Sequence, residues 1–488
     1  MRRRHRSVVA GFVAVVLVVS LVGTGVATAS PTEPQGWSPT VGSATALTQS
    51  GDDTIDQTQT YALTPSRPGE VSVTLTYEIP DRVTALAAQL PANTTVTSTD
   101  GFEAVNGTTY EWDETTTTAI INLRYEPNET VERTGREAAV GEYQFVDTGE
   151  WALFPRIETG ASWSYTGTTS QDPVTFERSV TTDGPGATGG ELVYLGEYST
   201  VEREADGQTF RLVVPERAEL DESSDAILDS LETASASFDV GDRDEAVFVV
   251  AAPTGDVTWG VRGLEYGGSD MFVRDNERLD DPANVWLHEY VHSRQAFAPT
   301  RETRWLTEGT AVYYAALLTL EQERITFAEF SEFIDDGARP AYDNVVLSDP
   351  GTWTDSAQYI KGPLAAGRID EAMREETDQT GTFEETVARL NGVDGRVTQA
   401  ELLDAVEDVG GPASRTAATD YTETTAGVTM WNDTTHSRLF GQLPADVRYA
   451  LPNESAGYRV SGPYRNGTVG SPVSLAAGET LRVDALVA

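Results

Sequence analysis

Near residue 215 the hydrophobic period of this chain changes from that of a strand to that of a helix. Before the change, EVSVTLTYEI (70–79) and TAIINLRYE (118–126) alternate apolar and polar residues, as strands with one buried face do. RLVVPE, around Leu212, closes a series of short strands separated by Gly, Asn and Asp turns. Residues from about 45 to 215 therefore read as a β-rich, sandwich-like domain, entered through a Thr-, Ser-, Gly-, Pro- and Asp-rich linker. Past Pro215, DAILDSLETASASF (225–238) predicts an amphipathic helix, EAVFVVAAP (245–253) a buried strand and DMFVRD (270–275) an edge strand. Helical patterns dominate from 281 to about 409, and short strands and turns return over 427–488. NGVDGRVTQAEL (391–402) hints at a calcium loop but fails, because the first and third ligand positions would be Leu390 and Gly392.

A chain of 488 residues is long enough for two or three cores, and its charge limits its partners. It carries 77 acidic and 34 basic side chains, a net of -43, which repels nucleic acid and anionic lipid. Every basic residue is arginine except Lys361. Such a surface suits molar salt, where the Debye length falls to about 3 Å, so halophilic adaptation is expected, with a merely acidic exported protein as the alternative. The absence of cysteine excludes disulfides, thiol nucleophiles and zinc–thiolate sites, leaving histidine and carboxylate as metal ligands. At the start, a basic head, an apolar run and Ala27-Thr28-Ala29 read as an export signal cleaved after Ala29, or as an uncleaved anchor. Either places the body outside the cell, secreted or at its surface, with membrane contact only through that segment. Sequons at Asn93, Asn106, Asn128, Asn432, Asn453 and Asn466 fit export and predict a glycoprotein.

Of four histidines, two stand four apart in VWLHEYVH (285–292). On a helix, His288 and His292 project from one face and can hold one Zn²⁺, while Glu289 reaches a metal-bound water as general base. A third ligand must come from elsewhere, and RWLTEGTAVYYAALL offers Glu308 on a second helix, leaving the fourth position open. Tyr313 and Tyr314 read as packing, His436 as a solvated loop residue, and the runs Asp280-Asp281 and 374–376 as solvated faces.

HEYVH followed by WLTEGTAVYY resembles the gluzincin metallopeptidases, most closely the glycyl aminopeptidase family and the aminopeptidase-N family. The resemblance spans about 216–431 and implies one zinc per chain held by His288, His292 and Glu308. YIKG matches a Y-x-K-G segment whose tyrosine, here Tyr359, supports the oxyanion, and Lys361 falls at its lysine. RGLEYGG resembles a G-x-M-E-N or G-G-L-E-H segment, which makes Glu265 the partner of a substrate α-amine; Tyr266 and Arg262 depart from that pattern. The implied fold is α+β: a leader over 1–29, a linker and β-rich domain over 30–215, a thermolysin-like, mostly helical catalytic domain over 216–426 and a β-rich tail over 427–488. The expected function is an exported zinc metallopeptidase, an aminopeptidase acting on peptides or proteins. An endopeptidase of the same mechanism and a non-catalytic surface or adhesion protein remain the alternatives, and oligomeric state is left open.

Overall fold

Alternation builds the N-terminal half as expected. In the strands Val71–Glu78 and Thr118–Tyr125, the buried pairs Val73↔Leu123, Leu75↔Ile121 and Tyr77↔Ala119 face each other across an antiparallel ladder. Thr54–Ala62 joins this sheet antiparallel to Val71–Glu78 and parallel to Thr175–Thr182. A four-stranded and a second five-stranded sheet complete the region, and all three share one apolar core. The computed structural model describes residues 53–131, 138–167, 173–241, 243–354 and 356–441, with the strand pair Tyr449–Ala450 and Thr480–Leu481. The expected export segment and the sequons at Asn453 and Asn466 lie outside the described residues. Among the described residues no helix is long and apolar enough to cross a membrane.

The next sheet corrects the boundary expected at 215. Tyr198–Ala205 and Gln208–Pro215 pair with each other, and Gln208–Pro215 runs parallel to Ala246–Ala252, so the Leu212 strand belongs to the second unit. The sheet continues through Asp270–Arg274 to Gly263–Tyr266. Asp270–Arg274 is thus internal rather than the expected edge strand. Its neighbour Gly263–Tyr266, which carries Glu265, is the edge. The sheet is covered on both sides, which explains the unbroken apolar run of AVFVVAA. Val247, Val249 and Ala251 enter the core shared with the helices, while Phe248, Val250 and Ala252 enter the core of the β-rich half. Period two divides one strand between two cores.

Helices α1 (Ser224–Ser237), α2 (Val285–His292), α3 (Trp305–Glu321), α4 (Phe327–Asp335), α5 (Ala357–Glu376), α6 (Phe383–Asn391), α7 (Gln399–Glu423) and α8 (Asp433–Phe440) form the body. α3 is buried along nearly its whole length and packs on α2 and α5. Its contact with α5 is close because Gly309 meets Gly362: a Cβ on Gly362 would stand 3.0 Å from the Gly309 Cα. The rejected calcium loop ends instead in a capping box, where Thr398 and Glu401 start α7. The Tyr313 hydroxyl donates to Asp370 Oδ2 at 2.8 Å inside the core, as a packing residue would.

The C-terminal expectation needs correction. Residues 433–440 are helical, and His436 is buried, with its ring stacked on Trp431 and Phe440 and its Nδ1 accepting from the indole Nε1 at 3.2 Å. Aromatic neighbours on both sides of the imidazole, four and five residues away, draw it into the core rather than into a loop. Of the strands expected over 427–488, the described residues include the Tyr449–Ala450 and Thr480–Leu481 pair, and 442–448, 451–479 and 482–488 lie outside the described residues. The 374–376 run is not a free solvated face either: Arg374 pairs with Asp370 and lies 4.4 Å from the Phe440 ring centre, and Glu376 accepts from the Ser414 N–H at 2.9 Å.

Candidate active site

α2 is a short helix held from several sides. Asn284 caps it by accepting from the Leu287 N–H, the Trp286 indole donates to the Glu277 carbonyl at 3.0 Å, and the Tyr290 hydroxyl donates to Gln208 at 2.8 Å. With its apolar face fixed in the core, the opposite face presents His288, Glu289 and His292. Glu308 sits in the first turn of α3. The three expected ligand atoms converge: His288 Nε2 and His292 Nε2 lie 3.0 Å apart, and Glu308 Oε2 lies 3.5 Å from the first and 3.3 Å from the second. A tetrahedral ion with bonds near 2.0–2.1 Å has ligand-to-ligand edges of about 3.3 Å, so the triangle has the size of one face of a zinc site.

Two further observations test that fit. Glu308 Oε2 is buried without a hydrogen-bond partner of normal geometry, an arrangement that costs free energy unless a cation compensates. Burial alone would push the Glu308 carboxyl up, yet the charge and close approach of the two imidazoles, His292 foremost, together outweigh it and hold the carboxyl well below its usual range. Burial likewise draws His292 down, and the Glu308 carboxylate outweighs it and raises the imidazole. The cluster therefore favours positive charge at the point where the three atoms meet.

Gln295 orients the second imidazole, and the sequence reading missed it. Its amide nitrogen donates to the Thr307 carbonyl at 2.9 Å and to Thr310 Oγ1 at 2.8 Å, which turns its oxygen toward His292 Nδ1, 3.0 Å away. An accepting oxygen there places the ring proton on Nδ1 and leaves the Nε2 lone pair for a metal. One amide thus connects a ligand on α2 to the residue preceding the ligand on α3. Gln295 lies past the end of α2, so the sequence carried no spacing signal for it.

All six nominated residues line one cavity of about 190 Å³: His288, Glu289, His292, Glu308, Glu265 and Tyr359, with Gly263, Leu264 and Thr307. Glu289 is held by the edge strand, because the Glu265 backbone N–H donates to its Oε2 at 2.7 Å. Gly263 allows that approach, since a Cβ there would stand 2.7 Å from Glu289 Oε1. Arg262, which departs from the family pattern, pairs with buried Glu277, as does Arg274 on the neighbouring strand. The two arginines and Glu277 thereby fix the start of the edge strand. The Glu265 side chain accepts from the Gly268 N–H, and burial pushes its carboxyl above its usual value. Tyr359 lies in the first turn of α5, brought beside Glu308 by the Gly309–Gly362 contact. Lys361 does not line this cavity. Its buried ammonium donates to the Val345 carbonyl at 2.6 Å and the Tyr342 carbonyl at 3.4 Å, fastening the loop before α5. A compact ammonium fits that duty where a planar guanidinium would not.

No known family model matches the chain, and no curated protein matches it. Among solved structures it is similar to an aminopeptidase N family protein from Idiomarina loihiensis, with a TM-score of 0.52 over 78% of this chain and 77% of that chain at 14% identity. An M1 zinc metallopeptidase from Deinococcus radiodurans, crystallised as a mutant bound to a Tyr-Ser-Ala substrate, is similar over 78% of this chain and 95% of its own, with a TM-score of 0.47 and 16% identity. By the first of these likenesses, the chain has the fold of the aminopeptidase N family protein.

Proposed function

We propose that this protein is a zinc-dependent aminopeptidase that hydrolyses the first peptide bond of peptide substrates. The observation that carries the reading is the convergence of His288, His292 and Glu308 within one cavity that also holds Glu289, Tyr359 and Glu265. When bound, zinc would polarise the scissile carbonyl and acidify a water to a pKa of about 7. Glu289, fixed at Oε2 by the Glu265 N–H, takes the proton of the attacking water at its other oxygen and returns it to the departing amine nitrogen. The Tyr359 hydroxyl donates to the oxygen that becomes negative at the carbonyl carbon. The Glu265 carboxylate receives the substrate α-ammonium, so the bond presented for cleavage lies one residue from the N-terminus.

The test uses zinc-loaded protein and peptides with free or N-acetylated termini. Free termini should be cut and acetylated ones spared, and Glu289→Gln should retain zinc while losing at least a hundredfold in turnover. Equal cleavage of both peptides would give the endopeptidase reading instead. Wild-type turnover in Glu289→Gln would end the mechanism, and no hydrolysis of any peptide would leave a binding or adhesion protein. The same proposal sets the enzyme outside the cell in high salt, secreted or anchored through its first 29 residues. That setting is supported by the leader pattern and the net charge of -43. Among the described residues, the sequon asparagines Asn93, Asn106, Asn128 and Asn432 are exposed, and a mass measurement of the exported protein would detect glycans on them.

A further inference from the structure

Two turns meet at the start of α3, one just before α3 and one just before α5. Arg301 Nη2 lies 3.7 Å from Asp349 Oδ1, and the guanidinium of Arg304 lies over the ring of Trp353, 5.2 Å from its centre. The indole is itself pinned, its Nε1 donating to the Val346 carbonyl at 3.1 Å. Arg304 has helical backbone angles (φ -59°, ψ -18°) and stands three residues before Thr307 and four before Glu308. Its side chain therefore leaves α3 on the face that lines the cavity. Arg304 is exposed and makes no ion pair or hydrogen bond among the described residues. In a chain with 77 acidic side chains against 34 basic ones, such isolation is not a matter of scarce carboxylates. Arg301, three residues earlier in the same turn, has an acidic partner in Asp349.

The cavity itself repels anions, since Glu265, Glu289 and Glu308 outweigh one divalent cation. The edge strand packs on α2, α2 on α3 and α3 on α5. Glu265 on the edge strand and Arg304 at the start of α3 therefore belong to the two elements that flank α2. A peptide held by its amine at Glu265 and crossing the histidines extends its departing part toward α3 and the turn that carries Trp353.

We propose that Arg304, held over the Trp353 ring, receives a carboxylate on the departing side of the substrate, which makes short peptides with a free C-terminus, or peptides with an acidic residue after the scissile bond, the preferred class. This inference rests on the aminopeptidase reading and its placement of the amine at Glu265. An arginine placed over an indole keeps its N–H groups available to both oxygens of a carboxylate, and such a short-range contact survives high salt better than long-range attraction.

The experiment compares wild type, Arg304→Lys and Arg304→Gln, all zinc-loaded and at one salt concentration, on Ala-Ala-Ala, its C-terminal amide and Ala-Asp-amide, with Leu and Arg also tried as first residue. Wild type should favour a carboxylate-bearing peptide over the neutral amide by about tenfold in kcat/KM, mostly through KM. Arg304→Gln should bring that ratio close to one, and Arg304→Lys should retain part of it. Preference for Ala-Ala-Ala assigns the carboxylate to a chain terminus, and preference for Ala-Asp-amide assigns it to a side chain; either supports the proposal. A wild-type ratio near one, or the wild-type ratio in Arg304→Gln, would overturn it. Calorimetric binding of Ala-Ala-Ala and its amide to zinc-loaded Glu289→Gln reads the same preference without turnover. Absence of hydrolysis would therefore sink the enzymatic reading alone, while equal binding of acid and amide would sink this one.

Discussion

Adding one methyl group at Gly263 should lower turnover about a hundredfold and leave zinc in place. A Cβ at this position would stand 2.6 Å from Val285 Cγ1, 2.7 Å from Glu289 Oε1 and 2.9 Å from Glu289 Cγ. Favourable contacts begin near 3.5 Å, so roughly 0.6–0.9 Å of separation must be found. α2 cannot supply it, because Trp286 and Tyr290 are fully buried and anchored by hydrogen bonds. Either Glu289 swings aside or the edge strand moves outward and withdraws the Glu265 N–H from Glu289 Oε2. Both displace the base. A misplacement of about 1 Å costs on the order of 10²-fold in rate, or roughly 2.7 kcal/mol in the barrier. Overpacking also destabilises, by about 1–3 kcal/mol, so melting must confirm that Gly263→Ala is folded under assay conditions. The measurement is kcat on an unblocked peptide, alongside zinc content by elemental analysis. Wild-type kcat in folded, zinc-loaded Gly263→Ala would refute the reasoning. Loss of zinc would show that the displaced residues include a metal ligand.

Gln295→Ala should weaken zinc binding about 10–100-fold, read by competition with a chromogenic chelator, because the His292 ring loses the oxygen that fixes its tautomer. Asp270→Asn should change how stability depends on pH. Burial pushes the Asp270 carboxyl from 3.8 to about 7, against two backbone N–H groups from residues 191 and 192 that favour its charged form. A raised folded pKa means stability present below pH 3.8 and lost as pH rises through 7, up to roughly 4 kcal/mol. Denaturant melts should therefore show the variant gaining on wild type between pH 4 and pH 8, and a constant difference would count against a protonated Asp270. Lowering salt from molar to tens of millimolar should depress the melting temperature, since a net charge of -43 then repels itself unscreened. A flat melting curve across that range would end the high-salt argument.

Much of the fold was legible because alternation and helical spacing report burial directly. The boundary at 215 was not legible, and the reason lies in AVFVVAA. A strand buried on both faces has no polar side to mark which layer it belongs to, so its partner Gln208–Pro215 looked like the last strand of the preceding domain. The same ambiguity made Asp270–Arg274 look like an edge. Pairing partners are set by contacts far apart in sequence, and period alone does not report them. His436 failed for a related reason: its aromatic neighbours Phe327 and Phe330 come from α4, about a hundred residues earlier.

The site was more legible than the fold, and its glycines explain why. The convergence of His288, Glu289, His292 and Glu308 was foreseeable because metal chemistry would restrict residue type and spacing at once. Glu265 and Tyr359 rested on resemblance alone, since a lone Glu and a lone Tyr carry no spacing of their own. What joins them to the histidines is backbone proximity: Gly263 lets the edge strand reach Glu289, and Gly309 with Gly362 lets α5 reach α3. Each of these glycines stands within three residues of a site side chain, so close backbone approach and chemistry occupy the same short segments. A side chain at any of the three would separate elements whose functional groups must share a cavity of about 190 Å³. Gln295, by contrast, acts through one side-chain amide at a position where many residues would suit a helix end, and only its three-dimensional partners reveal its role.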